Sequence, residues 1–185
     1  MLREVTFSPR KSIEAILYVA GRLDKPTIHE VLKLIYFADK LHLERYGFLA
    51  SGDEYVAMRF GPVASSTYDL IKAARGDKAG WYNQKFAEMA QSAIEIAGDH
   101  RTVLVNRDAD CAALSETQIE CLNDAIAEYG GMDFDARTKL SHDSAWQQAW
   151  KLAEDDEVGQ SPIPLSQIAS TLKNADEVLA HLACA

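Results

Sequence analysis

The stretch from Ile28 to Tyr46, IHEVLKLIYFADKLHLERY, constrains the fold more than any other part of the chain. Thr27 and Glu30 at its start have capping-box spacing: the hydroxyl accepts from the third amide and the carboxylate reaches back. Two apolar stripes follow at helical spacing, one through Ile28, Val31, Leu32 and Ile35, the other through Leu34, Phe37, Ala38 and Leu41. A helix apolar on that many sides belongs at the centre of a domain, with neighbours packed around it. Gly47 supplies its stop. At 185 residues, with 48% apolar and 25% charged side chains, the chain can bury such a core without staples.

Other helices announce themselves through their caps. Ser8 followed by Pro9 opens a helix that carries Ile13, Ile16, Leu17 and Ala20 and ends near Gly21. Ser115 and Gln118 open another, with Ile119, Leu122 and Ile126 on one side and Gly130 and Gly131 at its end. FDARTKLSHDSAWQQAWKLAED reads as two short helices around SHDS. Against these, QSAIEIAG and HRTVLVN alternate like two strands joined by a GDH turn, and EYVAMRF reads as a third extended piece. These pieces are expected to form a small antiparallel sheet or a hairpin. The fold class expected is therefore mainly α with a small antiparallel β element, in a single compact helical domain at 1–155. An acidic, proline-interrupted linker, EDDEVGQSPIP, is expected across 156–164, then an amphipathic helical tail at 165–185 carrying Leu179 and Leu182. That tail is expected to dock either on the body or in a partner's groove.

Few residues invite chemistry. Asp39 and His42 stand three apart on one helical face and could hydrogen-bond to each other, an arrangement that offers a general base with its orienting carboxylate. No nucleophile motif accompanies them, so a small hydrolase remains an alternative to a binding protein. At Gly61 and Pro62 the pattern changes from extended to helical: Gly61 frees the backbone to turn and Pro62 is placed at the start of the next helix. Arg59 lies beside this junction, but one Gly-Pro step is not a phosphate loop. Trp146 and Trp150 are four apart and share a face large enough to anchor a partner, while His142 and Asp143 cap or turn the chain ahead of them. One His beside one Asp is too few ligands for a metal, and no motif for a cofactor stands out.

The charge of −9 is unevenly placed. Residues 1–100 hold 13 basic and 13 acidic side chains, whereas residues 101–185 hold 6 and 15. Such a field repels phosphate backbones and draws basic partners, so direct nucleic-acid binding is not expected and neither is a regulator built on a helix-turn-helix over 10–46. Three cysteines without CxxC spacing are expected to be reduced packing residues. With no apolar run of membrane-spanning length and no leader-like start, the expected location is the cytoplasm, away from any membrane.

KLIYFADKLHLERYG, then DEYVAMRFGPVASSTYDLI, then LSHDSAW together resemble the Panacea domain of SocA-like antitoxins, including phage-associated relatives. The resemblance covers roughly residues 10–155, with Asp39, Gly61, Pro62, Tyr68 and Asp69 as its structural signature. It implies a mostly helical antitoxin that meets a cognate protein toxin directly, and in the namesake branch an adaptor that hands the toxin to the ClpXP protease. Contacts with that partner are expected at Arg59, Pro62, Tyr68, Trp146, Trp150, Leu179 and Leu182.

Overall fold

A computed structural model describes residues 6–77 and 84–184. Helix α1 (Pro9–Ala20) starts at Ser8, whose hydroxyl accepts from the Lys11 amide, and buries Ile13, Ile16, Leu17 and Val19. Helix α2 (Ile28–Tyr46) starts at Thr27, which accepts from the Glu30 amide at 3.2 Å, and stops at Gly47 in the left-handed region at φ +81. The Glu30 carboxylate, expected to reach back over the first turn, instead pairs with Arg137 at 2.7 Å. As the stripes predict, α2 is the axis of the molecule: Val31, Leu34, Tyr36 and Leu43 are wholly buried, and α1, α5, α6 and α8 pack around it. Each such side chain withdrawn from water contributes about 1.5–3 kcal/mol.

Strands β1 (Tyr55–Met58) and β2 (Gly61–Ala64) form an antiparallel hairpin with Met58 opposite Gly61, so Arg59 and Phe60 are its turn. Here the sequence expectation fails in part. Gly61 does turn the chain, at φ +107, but Pro62 sits within β2 opposite Ala57 and opens no helix. An edge strand tolerates a proline, because the missing N–H breaks no ladder there. Helix α3 (Ser65–Ala74) follows, with no cap from Ala64. Its first turn is held across the hairpin by the Asp53 carboxylate, which accepts from the amides of Ser66 (3.0 Å) and Thr67 (2.7 Å) and from the Thr67 hydroxyl (2.8 Å).

Helix α4 (Gln84–Ala93) runs directly into β3 (Ile94–Ile96), which pairs antiparallel with β4 (Val103–Val105). The two strands form the expected antiparallel pair as a sheet of their own, apart from the β1–β2 hairpin. They are tied to the start of α2 by hydrogen bonds from Ile28 N to Arg101 O and from Val103 N to Pro26 O, both 2.8 Å. Helices α5 (Glu116–Tyr129), α6 (Phe134–Ser141) and α7 (Ser144–Asp155) then start at Ser115, Asp133 and Asp143, each accepting from an amide of its own first turn.

The stretch expected as a linker contributes β5 (Ser161–Ile163), which pairs antiparallel with β1 and gives a sheet of order β2-β1-β5. Pro162 is accommodated because β5 is an edge strand and the residue faces solvent. Helices α8 (Leu165–Ala169) and α9 (Ala175–Ala183) pack on the body: Ile168, Ala169 and Val178 join the core, and Asn174 donates to the Glu44 carbonyl at 2.9 Å. Residues 156–164 are thus no free linker, and the tail docks on its own domain.

One ion pair pins the first helix to the loop after β4. The Glu14 carboxylate, 3% exposed, accepts from Arg107 Nη2 at 2.6 Å, Arg107 Nη1 at 2.8 Å and the Asp110 amide at 2.8 Å. Burial pushes this carboxyl up, but the Arg107 and Asp110 hydrogen bonds and the Arg107 charge outweigh it and leave the group below its ordinary value of 4.5. A carboxyl depressed on folding stabilises fully above its unfolded value, and that stability disappears as pH falls through its folded value. Arg107→Ala is expected to cost about 1–2 kcal/mol at pH 7, less than a fully buried pair because solvent reaches Arg107. Urea unfolding should show the gap from the parent narrowing as pH falls below 4.5; a gap that does not narrow over that fall would contradict this origin.

Candidate functional site

The side of α2 away from its apolar stripes carries His29, Lys33, Tyr36 and Lys40, spaced to form a single face. Packing closes the hairpin, α6 and α7 over this face. Lys33 is 1% exposed, and its Nζ donates to the Pro62 carbonyl at 2.5 Å. Gly61 admits that approach: a Cβ there would stand 2.5 Å from Ser141 Oγ and 2.8 Å from Lys33 Nζ. Trp146 Nε1 donates to the Met58 carbonyl at 2.9 Å, fastening α7 to the hairpin. The His142 ring stacks flat on Trp146 at 3.5 Å, and Trp150 lies parallel to Trp146 at 5.9 Å. Asp143 caps α7 and also accepts from the Tyr36 hydroxyl (3.0 Å) and Lys40 Nζ (2.8 Å), joining α7 to α2.

Electrostatically the junction is one-sided. Among the described residues no carboxylate pairs with Lys33; Glu30 is taken by Arg137 and Asp143 by Lys40. Burial alone pushes the Lys33 ammonium down to about 7. His29 is lowered to about 4, by burial and then by the charges of Lys33 and Arg137; its Nε2 meets the Thr138 hydroxyl at 3.1 Å and its Nδ1 is buried without a partner. His142 is lowered by burial and then by Lys33. His142 Nε2 and Arg137 Nε are buried without hydrogen-bond partners. Unpaired buried donors cost free energy, so this is where the fold gives up stability.

Over the junction lies the hairpin turn. Phe60 is 50% exposed, its ring edge-on to the 44% exposed Phe134 at 5.5 Å, with the Arg59 guanidinium 5.3 Å from the Phe60 ring centre. Of the residues expected to meet a partner, Arg59, Pro62, Trp146 and Trp150 come together here, although Pro62 and Trp146 are buried and only Arg59 is fully exposed. Tyr68 lies elsewhere, on α3 beneath Lys72, and Asp69 pairs with that same lysine. Leu179 and Leu182 are half-buried against the body on α9.

Asp39 and His42 face the interior on another side of α2. Asp39 accepts from the Ser51 amide (3.0 Å), the Ser51 hydroxyl and the Tyr55 hydroxyl (2.8 Å), and burial raises its pKa. His42 Nδ1 donates to the Phe48 carbonyl at 2.8 Å, which leaves Nε2 to accept from the Thr117 hydroxyl at 3.0 Å. The two thus take separate partners, with 3% and 0% exposure. A void of about 10 Å³ beside Asp39 is no larger than one water. This pair anchors the loop after α2 and lacks the solvent access a general base needs.

Residues 31–147 match the family described as antitoxin SocA-like, Panacea domain. The chain belongs to this antitoxin family. The matched span opens within α2 and closes within α7, so the Panacea domain takes in the Lys33 junction and stops short of β5, α8 and α9. No curated protein and no solved structure matches the chain. Sequence reasoning singled out neither Lys33 nor Phe60. A signal for Lys33 was present, since it lies between Leu32 and Leu34 in a helix already identified as central, yet its own face read as polar.

Proposed function

We propose that this Panacea-domain protein neutralises a cognate protein toxin by direct contact, and that the contact is made by the hairpin turn and the edge of the tryptophan stack. The observation that carries the reading is the exposed Arg59, Phe60 and Phe134 group, all three within the family match, seated over the Lys33 and Trp146 junction. Aromatic and arginine side chains on a preorganised support are the usual anchors of protein interfaces. The acidic second half suits a basic partner and raises its encounter rate. Competing readings lose their geometry: Asp39 and His42 are sealed, and α2 is packed on too many sides to enter a DNA groove. No described helix is long and apolar enough to cross a membrane, and we place the pair of proteins in the cytoplasm.

The test is co-expression with the product of the neighbouring reading frame. Growth should be rescued and the two chains should co-purify. Phe60→Ser, a surface change expected to alter stability by less than about 0.5 kcal/mol, should weaken capture at least about tenfold. Capture unchanged in that variant would move the interface elsewhere, and a neighbouring product that neither binds nor is rescued would sink the antitoxin reading for this chain. Toxin levels with and without ClpXP separate the two modes: a level that holds steady means masking, whereas a ClpXP-dependent fall means delivery.

A further inference from the structure

We infer that Lys33 is a proton-controlled latch on the β1–β2 hairpin: its uncharged amine fits the closed junction, and its charged form has no counter-ion there and drives the hairpin to open. The inference stands on the geometry of the junction. Lys33 Nζ has a carbonyl acceptor, Pro62 O, on the strand it would release. Gly61 and Ser141 close tightly around it, with no space even for a Cβ at residue 61. A neutral amine needs no more than this, whereas an ammonium removed from water needs an anion or several acceptors.

Among the described residues the surrounding groups supply no such anion. On its own helix, Glu30 is committed to Arg137, and Tyr36 and Lys40 share Asp143. From α6 comes the Arg137 guanidinium, 3% exposed, and from the α6–α7 junction come His142 and the committed Asp143. The hairpin contributes Arg59, a further cation, at its exposed turn. His29 and His142 are both lowered from 6.5 and stay neutral above that pH, so between pH 7 and 9 Lys33 is the group at this junction whose charge changes. Opening returns Lys33 to water, where it binds a proton far more readily. One proton taken up on opening makes the open fraction rise tenfold per unit fall in pH between the free and buried values, then level off. The turn that opens carries Phe60, so the latch would set how firmly that aromatic surface is held.

Hydrogen exchange of the full chain tests this, with each amide expressed as protection relative to its intrinsic rate. The amides of Met58, Gly61 and Val63, which pair across the hairpin, should lose protection about tenfold per pH unit from 9 to 7 and flatten below about 6.5. They should also remain less protected than those of α5 at every pH, since the hairpin opens while the domain stays folded. Lys33→Met, which keeps the bulk and removes the charge, should be flat across the range; Lys33→Gln serves if the first variant does not fold. A flat wild-type profile overturns the latch whether or not the variants fold. So does equal protection of the hairpin and α5, which would mean that Lys33 is exposed only by whole-domain unfolding. An unchanged slope in either variant overturns it as well.

Discussion

Gly61→Val is expected to lower the melting temperature by about 10 °C, the equivalent of about 3 kcal/mol or more in a chain of this size. Two costs add. The backbone at residue 61 has φ +107, a region that a β-branched side chain avoids. The first side-chain carbon would also stand 2.5 Å from Ser141 Oγ and 2.8 Å from Lys33 Nζ, closer than van der Waals contact allows. Lys33 cannot swing aside, being wholly buried, so the overpacking falls on the hairpin itself. Circular dichroism melting measures the shift. A variant that melts within about 2 °C of the parent would show that the hairpin accommodates the side chain and that the junction is looser than its geometry indicates.

Trp146→Ala should cost about 4 kcal/mol, in the range for truncating a buried tryptophan. This indole is 9% exposed, stacks between His142 and Trp150, and fastens α7 to β1 through the Met58 carbonyl. Its loss opens a cavity and removes the indole's hydrogen bond to that carbonyl, which keeps its hairpin partner Gly61. Trp146→Phe keeps most of the packing and removes the donor alone, so about 1 kcal/mol is expected from the one hydrogen bond lost. Urea unfolding of the two variants separates packing from hydrogen bonding. Equal losses would mean that the bond to Met58 carries the whole effect, and a loss under about 1 kcal/mol in both would remove Trp146 from the structural base of the site.

What the sequence disclosed and what it concealed divide along physical lines. Ser8, Thr27, Ser115 and Asp143 were readable as caps because a cap acts within four residues of itself. The central position of α2 was readable because its stripes leave too little polar surface for an exposed helix. Pro62 misled, since proline suits both a first helical turn and an edge strand, and only the pairing of Ala57 with Pro62 decides between them. Strand β5 was invisible: three residues containing a proline carry no alternation, and its partner Tyr55 lies far away in the chain. Of the residues expected to meet a partner, Arg59 and Pro62 lie far in the sequence from Trp146 and Trp150, and packing of α7 on the hairpin brings them together. Lys33 escaped because its face of α2 is polar in composition and becomes interior only when α6 and the hairpin close over it.

The placement of β1 between β2 and β5 also bears on how the protein is made. On the ribosome the hairpin emerges early, while the far side of β1 still shows a row of unsatisfied amides and carbonyls, the kind of edge that recruits other chains. That edge is covered only after Ser161 to Ile163 have been synthesised. A nascent chain halted after α7 would therefore hold all of the family-matched residues and yet carry an adhesive flank, so completion of the sheet is tied to late translation.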